Sequence, residues 1–274
     1  MEHELWVMSF NVRTDTSYDK ELQWQYRRDV VAWVIDGIDI AGLQEVQFNQ
    51  LADLRSCLGN YHYIGVGRDD GREAGEFCPI FYRKDRFTVR HSGHFWLSAT
   101  PDTPGSKGWD GGCVRIATWG VFNDHSNQRD VLFLNTHLDH AGAEAQREGG
   151  LLLAERLGAL SAQFSSLPVI VSGDFNLEPD SPVIRRLLNP TNPLPLLDTR
   201  ESASRKENVG GTYHNFGALA TSERLLIDYI FVSQNIQTLE YRMLSDKYNG
   251  VIYSDHAAIT ACVLLNIPIS RKSA

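Results

Sequence analysis

A mixed α/β fold, two packed β-sheets with helices on their outer faces, is predicted by three features of the sequence. The first is a β-α-β opening, in which Leu5 to Val12 reads as a strand, Trp24 to Ile35 as an amphipathic helix and Ile38 to Leu43 as a second, buried strand. The second is a run of four strand-like segments: Phe77 to Arg83, Phe87 to Trp96, Cys113 to Phe122 and Val131 to Thr136. They are joined by turns rich in Gly, Asp and Asn, a succession that suggests antiparallel pairing. The third is that the layout recurs in the second half. A helical period from about Glu144 to Phe164 leads into the strand Val169 to Ser172, and Leu225 to Val232, Gln237 to Leu244 and Ala257 to Leu265 supply further strands. Alternation of helix and strand in both halves suits two sheets covered by helices better than a βαβ-only barrel.

The segments belong to one domain spanning residues 1–274. The Pro-rich stretch Asn189 to Pro195 is a loop within it, because apolar strands needed for a core lie on both sides. A chain of 274 residues with 42% hydrophobic content buries a sizeable core. The net charge of −8 argues against gripping long nucleic acid mainly by nonspecific phosphate neutralisation. The cysteines Cys57, Cys78, Cys113 and Cys262 are too widely spaced for a structural zinc site, so reduced, mostly buried thiols are expected. Neither a basic, apolar leader nor a membrane-spanning run is present in the sequence, and a cytoplasmic protein is the expectation.

Chemistry concentrates at the strand ends. Gly173-Asp174-Phe175-Asn176 follows the apolar run Pro168-Val169-Ile170-Val171, so a strand covered on both faces displays its only polar groups at its tip. In a locally extended chain Asp174 and Asn176 point to one side and Phe175 turns into the core. Taken alone, the tetrapeptide is equally a turn or a helix cap. Other strands end alike, however: Asn11 after Val7 to Phe10, Glu45 after Ile40 to Gln44, Asn135 and His137 ending Val131 to Leu134, and Asp255 with His256 before Ala257 to Ile259. Aligned along one edge, these carboxylates, amides and imidazoles repel or stay unsatisfied without a cation. Oxygen donors without thiolates favour Mg2+ or Mn2+ over zinc.

Six ordered motifs carry a family resemblance: Ser9-Phe10-Asn11-Val12-Arg13, Leu43-Gln44-Glu45-Val46, Asn135-Thr136-His137-Leu138-Asp139, Gly173-Asp174-Phe175-Asn176, Ile227-Asp228-Tyr229-Ile230 and Ser254-Asp255-His256. Together they resemble the endonuclease/exonuclease/phosphatase superfamily, over residues 5 to 265. The resemblance implies a four-layer α/β sandwich and a phosphoesterase site along one edge that uses one or two divalent ions. It implies Glu45 as the principal metal ligand, with Asn11 and Asp255 near the same ion or linked to it through water. Asp174 is then the group that orients or deprotonates the attacking water, and Asn176 a phosphate-oxygen donor. His256, held by Asp228, contacts the phosphate and shares in acid–base work, and His137 faces the phosphate from the other side. In-line attack at phosphorus needs such a positioned water, neutralised equatorial oxygens and help for the leaving alkoxide.

Substrate-binding candidates are Arg115, Asn135, Trp96 and His214. Arg115 offers a bidentate fork to a phosphate, against pairing with a neighbouring carboxylate. Trp96 and Trp109 lie in a stretch, His94 to Ser98 and Gly105 to Asp110, that resembles a bacterial branch near the Ccr4/nocturnin-like phosphoesterases. They offer stacking faces, against roles as core or loop anchors. His214 lines the same cleft or sits in a turn. The leading expectation is a phosphodiesterase acting on single-stranded nucleic acid or a nucleotide. The alternative is a phosphatase of a small phosphorylated metabolite, sugar or inositol lipid headgroup, and the third reading is a binding protein on an inactivated scaffold. No basic run for duplex DNA and no protein partner is implied.

Overall fold

The computed structural model describes residues 4–164 and 167–265. Along the chain lie β1 (Glu4–Asn11), α1 (Trp24–Ile35), β2 (Ile40–Gln44), α2 (Phe48–Cys57), β3 (Tyr61–Ile64), β4 (Ile80–Arg83), β5 (Phe87–Trp96), β6 (Ile116–Asp124) and β7 (Arg129–His137). There follow α3 (Ala143–Gln163), β8 (Val169–Asp174), α4 (Pro182–Leu187), β9 (Leu196–Asp198), α5 (Thr199–Ser202), β10 (Arg205–Glu207), β11 (Asp228–Ser233), β12 (Ile236–Met243), β13 (Lys247–Tyr248), β14 (Val251–Ile252) and β15 (Ile259–Leu265). One sheet has the order β10-β12-β15-β1-β2-β4-β3 and the second β5-β6-β7-β8-β11-β9. The two-strand hairpin β13-β14 stands apart.

Strand periodicity builds the layers. Val7, Ile40 and Ile80 of the first sheet pack on Phe122, Phe133, Ile170 and Ile230 of the second, forming the central core. Their neighbours point the opposite way: Met8, Ala41 and Leu43 pack under α1 and α2, and Leu132, Leu134 and Val171 pack under α3 and α4. Helix, sheet, sheet and helix are the four layers of the expected sandwich.

Several expectations need correction at their edges. The first of the four consecutive strand segments starts at Ile80, because Phe77 makes only isolated bridges to Val46 and Gly67. Its strand, β4, pairs with β2 and β3 in the first sheet, whereas β5, β6 and β7 pair antiparallel in the second. The chain therefore changes sheets between Arg83 and Phe87, a non-local choice that alternation does not encode. β6 begins at Ile116, since the N–H groups of Gly112 and Cys113 are taken by the Asp139 carboxylate. α2, β3, α4, α5, β9, β10, β13 and β14 are not among the expected elements; α4 carries a legible start, with Ser181 accepting from the Ile184 N–H and Pro at the first turn.

Asp198 closes β9 and caps α5 by accepting the Arg200 N–H at 2.8 Å. Burial pushes its carboxyl up to about 6. Between about pH 4 and 6 the unfolded chain releases this proton and the folded chain retains it, so stability present below about pH 4 is lost as pH rises through 6. Asp198→Asn keeps the cap and removes the titration. It is expected to be about 1–3 kcal/mol more stable than the parent at pH 7 and to show no such gain at pH 3.5, by urea unfolding at both values.

Candidate active site

Both sheets present their polar strand ends at one edge. β1 and β2 run parallel and β15 antiparallel to β1, which brings Asn11, Glu45, Asp255 and His256 together from the first sheet. β7 and β8 run parallel with His137 opposite Asp174, and antiparallel β11 sets Asp228 opposite Asp174, which supplies the second sheet's half. The halves interlock. The Asn11 amide donates at 3.0 Å to both Glu45 Oε1 and Asp174 Oδ2, and His256 Nδ1 lies 2.8 Å from Asp228 Oδ2 across the gap. The far nitrogen of His256 is 3.7 Å from Asp174 Oδ2.

Glu45 follows β2 in a left-handed backbone, φ 62°, which turns its carboxylate to the edge and lets Oε2 accept the Thr14 N–H. A left-handed residue with a long side chain is strained, and such strain collects at functional sites. Asn176 is also left-handed, φ 51°, so the expected extended display of Asp174 and Asn176 does not occur. Instead Asp174 Oδ1 accepts the Asn176 N–H at 2.9 Å in a tight turn. That turn swings Asn176 Nδ2 to 2.9 Å from His137 Nε2. Phe175 is buried as expected.

Among the expected substrate-binding residues, Arg115 borders the cleft, with Nη2 3.0 Å from His140 Nδ1 and Nε 3.8 Å from Asp139. The other three do not. Asn135 is 0% exposed and works between the sheets. It donates to the carbonyls of Leu43 and Pro79 and accepts from Gln44 Nε2 and Ser172 Oγ. Gly42 makes room for this joint, because a Cβ there would lie 2.0 Å from Ser172 Oγ. Trp96 is buried and donates its indole N–H to the Arg68 carbonyl at 2.6 Å, so it anchors a loop. His214 is buried behind Asp255, accepting the Gly217 N–H.

The cleft, about 330 Å³, also has walls that strand-end patterns did not signal. Arg13 binds Asp19 through two nitrogens and reaches to 3.7 Å from Asp255; it stands in the same motif as Asn11, which was the available signal. Arg68 and Glu76 form a salt bridge at 2.5 Å on one side, and Tyr213 and Leu225 border the other.

A model of the Endonuclease/Exonuclease/phosphatase family matches residues 8–256. The chain belongs to that family. Family members are hydrolases acting on phosphate esters. A solved family protein from Bacteroides vulgatus superposes with a TM-score of 0.91 at 37% identity, covering 96% of this chain and 99% of that one. A mannosyl-6-phosphatase from Bacteroides thetaiotaomicron superposes with a TM-score of 0.87 at 35% identity, covering 95% and 100%. A curated relative, carbon catabolite repressor protein 4 homolog 3 of Arabidopsis thaliana, is 24% identical over 192 residues. That alignment takes in 65% of this chain but only 41% of the relative's length.

Electrostatics set these edge residues apart from one another. Burial and then the neighbouring Asp228 charge push the Asp174 carboxyl up to about 7. Burial opposes a charge on His256, but Asp228 and Asp174 outweigh it and hold the imidazolium well above its usual range. Burial, with Arg115 and Arg68 nearby, drives His137 well below that range and keeps it neutral. Burial works against the Glu45 carboxylate, yet the Asn11 amide and Thr14 N–H hold it below its ordinary value. Burial raises Asp255, and the Glu45 charge raises it further. Asp174, Asp228 and His256 also offer ligand atoms within 4.8 Å of one another, although the direct Asp228–His256 hydrogen bond makes that trio a charge-paired dyad facing a carboxylate.

Proposed function

We propose that the chain is a divalent-metal-dependent phosphatase that removes phosphate from a small hydroxylated molecule, a sugar phosphate foremost, by in-line attack of water. The observation that carries this reading is the cleft: its roughly 330 Å³ is walled by the Arg68–Glu76 pair and by Tyr213 and Leu225, the size of a compact ligand. The mannosyl-6-phosphatase matched over its whole length at 35% identity supports the choice.

Glu45 and Asp255, with Asn11 linked through water, would hold one or two magnesium or manganese ions. The donor set fits: carboxylate and amide oxygens suit a hard cation, and the repulsion between Glu45 and Asp255 is what a cation relieves. When bound, the metal neutralises charge on the phosphoryl oxygens. Asp174, beside His256, orients the water and takes its proton. Asn176 Nδ2 and the Arg115 fork donate to non-bridging oxygens, and neutral His137 shapes the opposite wall. His256, fixed by Asp228 and 3.7 Å from Asp174, donates its Nε2 N–H to a phosphate oxygen beside the attacking water, and the departing alkoxide takes its proton from solvent in the open cleft.

The test is a panel with magnesium or manganese: mannose 6-phosphate and other sugar phosphates, p-nitrophenyl phosphate, bis-p-nitrophenyl phosphate, dinucleotides and oligonucleotides. Sugar phosphates are expected to turn over fastest, with EDTA abolishing activity and added magnesium restoring it. Faster cleavage of diesters returns the assignment to a phosphodiesterase on the same residues. Inertness towards every member sinks the enzymatic reading, and a magnesium-soaked crystal with the ion away from Glu45 sinks the metal assignment.

A further inference from the structure

We propose that the cleft continues past the Arg68–Glu76 pair into a second subsite, floored by Phe48, which takes a neutral saccharide unit joined to the phosphorylated one. This rests on the sugar-phosphatase reading and names the substrate class within it. The first observation is adjacency across the Arg68–Glu76 pair. A hollow of about 400 Å³ holds Phe48, Glu73 and Gly75 in its lining and shares Arg68 and Glu76 with the phosphate cleft. The chain reaches it from the site directly, through Glu45-Val46-Gln47-Phe48.

The second observation is an aromatic face held in place from beneath. Phe48 is 47% exposed, yet its ring stacks on buried Phe77, with centroids 6.5 Å apart and planes at 30°. A fixed, half-open aromatic ring beside planar charged groups suits a sugar, whose C–H face packs on the ring while its hydroxyls meet carboxylate and guanidinium.

The third is rigidity of the opposing wall. The Trp96 indole holds the Arg68 carbonyl, the Arg68 N–H reaches the Glu76 carbonyl at 3.1 Å, and the Asp69 N–H reaches the Ala74 carbonyl at 3.0 Å. Asp70 Oδ1 accepts the N–H groups of Arg72 and Ala74. Gly75, at φ +78°, is required where a Cβ would meet Asp69 at 2.5 Å. A wall built before the ligand arrives lowers the ordering cost of binding.

The fourth is charge. Asp69, Asp70, Glu73 and Glu76 stand in this one loop against Arg68 and Arg72. A second phosphate, as in a nucleic acid strand, meets that acidic excess, and a neutral saccharide does not.

The experiment compares mannose 6-phosphate with an α-linked mannobiose phosphorylated at O6 of its non-reducing unit, in the parent enzyme and in Phe48→Ala. The parent is expected to show a KM about tenfold lower for the disaccharide, the equivalent of about 1.4 kcal/mol, at similar kcat. Phe48→Ala is expected to erase that preference and leave kcat and KM for mannose 6-phosphate unchanged. Equal KM values in the parent, or a Phe48→Ala effect on both substrates alike, overturn the proposal. If neither sugar phosphate turns over while other esters do, the function assigned above has failed and the subsite is judged by calorimetry. Unphosphorylated mannobiose titrated in EDTA should bind the parent and lose that binding in Phe48→Ala; no binding by the parent overturns the subsite on its own.

Discussion

Asp174→Asn lowers kcat by about 10²–10⁴-fold while the protein stays folded. The variant keeps the shape and the oxygen that accepts the Asn176 N–H, but its NH2 replaces the oxygen that accepts the Asn11 amide, and no carboxylate is left between Asn11 and His256 to take a proton. A second effect runs the other way. Burial and Asp228 raise the Asp174 carboxyl to about 7, so the metal-free folded state resists an ionisation that the unfolded chain undergoes freely near pH 4. Stability attached to this group is complete below about pH 4 and declines as pH rises through 7. In EDTA the variant should therefore gain stability relative to the parent as pH rises from 4 to 8, on top of a constant loss from the Asn11 amide bond. Stopped turnover with a melting temperature that gains on the parent's as pH rises marks a functional carboxylate held at a stability cost. Retention of more than a tenth of kcat would remove Asp174 from the role of base.

Arg86→Met costs about 3–5 kcal/mol of folding stability and leaves the chemistry intact. Arg86 lies at the edge opposite the cleft. It grips Asp124 at the end of β6 through Nε and Nη2, at 3.1 and 2.8 Å, and Asp39 before β2 through Nη1 at 2.6 Å. Asp124 is 0% exposed, and Asp39 also accepts the Trp6 N–H. Without the guanidinium the buried Asp124 carboxylate loses its cation, and Asp39 from the other sheet keeps only Arg83, 3.6 Å away. Adding Asp124→Asn to the variant should recover part of the loss, a coupling that separates stranded charge from lost packing. Urea unfolding supplies the measurement, and a loss below about 1 kcal/mol would show that solvent reaches the pair.

The sandwich was legible because its strands are short apolar runs, and the edge was legible because each run ends in a carboxylate, amide or imidazole. Asn135 shows where that reasoning stops. It shares a strand face with His137 but sits one pleat deeper, so the opposing sheet covers it and its amide joins backbone carbonyls instead of a ligand. Asp174 and Asn176 stand at the expected edge on a different backbone, since a left-handed turn rather than an extended chain brings the amide round. Arg68 and Glu76 were invisible. They occupy an irregular loop with no period to read, and Trp96, weighed between a stacking face and a loop anchor, helps fix where that loop stands. The sheet change before β5 escaped for a related reason: which strand pairs with which depends on distant segments.

The amide joint of Gln44, Asn135 and Ser172 carries a consequence for how this chain varies over generations. Each sheet holds half of the edge's polar groups, and the Gln44–Asn135 bond ties the two sheets together beneath them. Exchanging one of its members for an apolar residue of similar volume leaves two sheets still glued by their hydrophobic faces, yet free to settle a fraction of an ångström apart. Selection would register that drift as failing turnover well before it registered as a failing fold. The three positions, together with Gly42, are therefore expected to change as a set rather than one by one, which a comparison of aligned relatives checks.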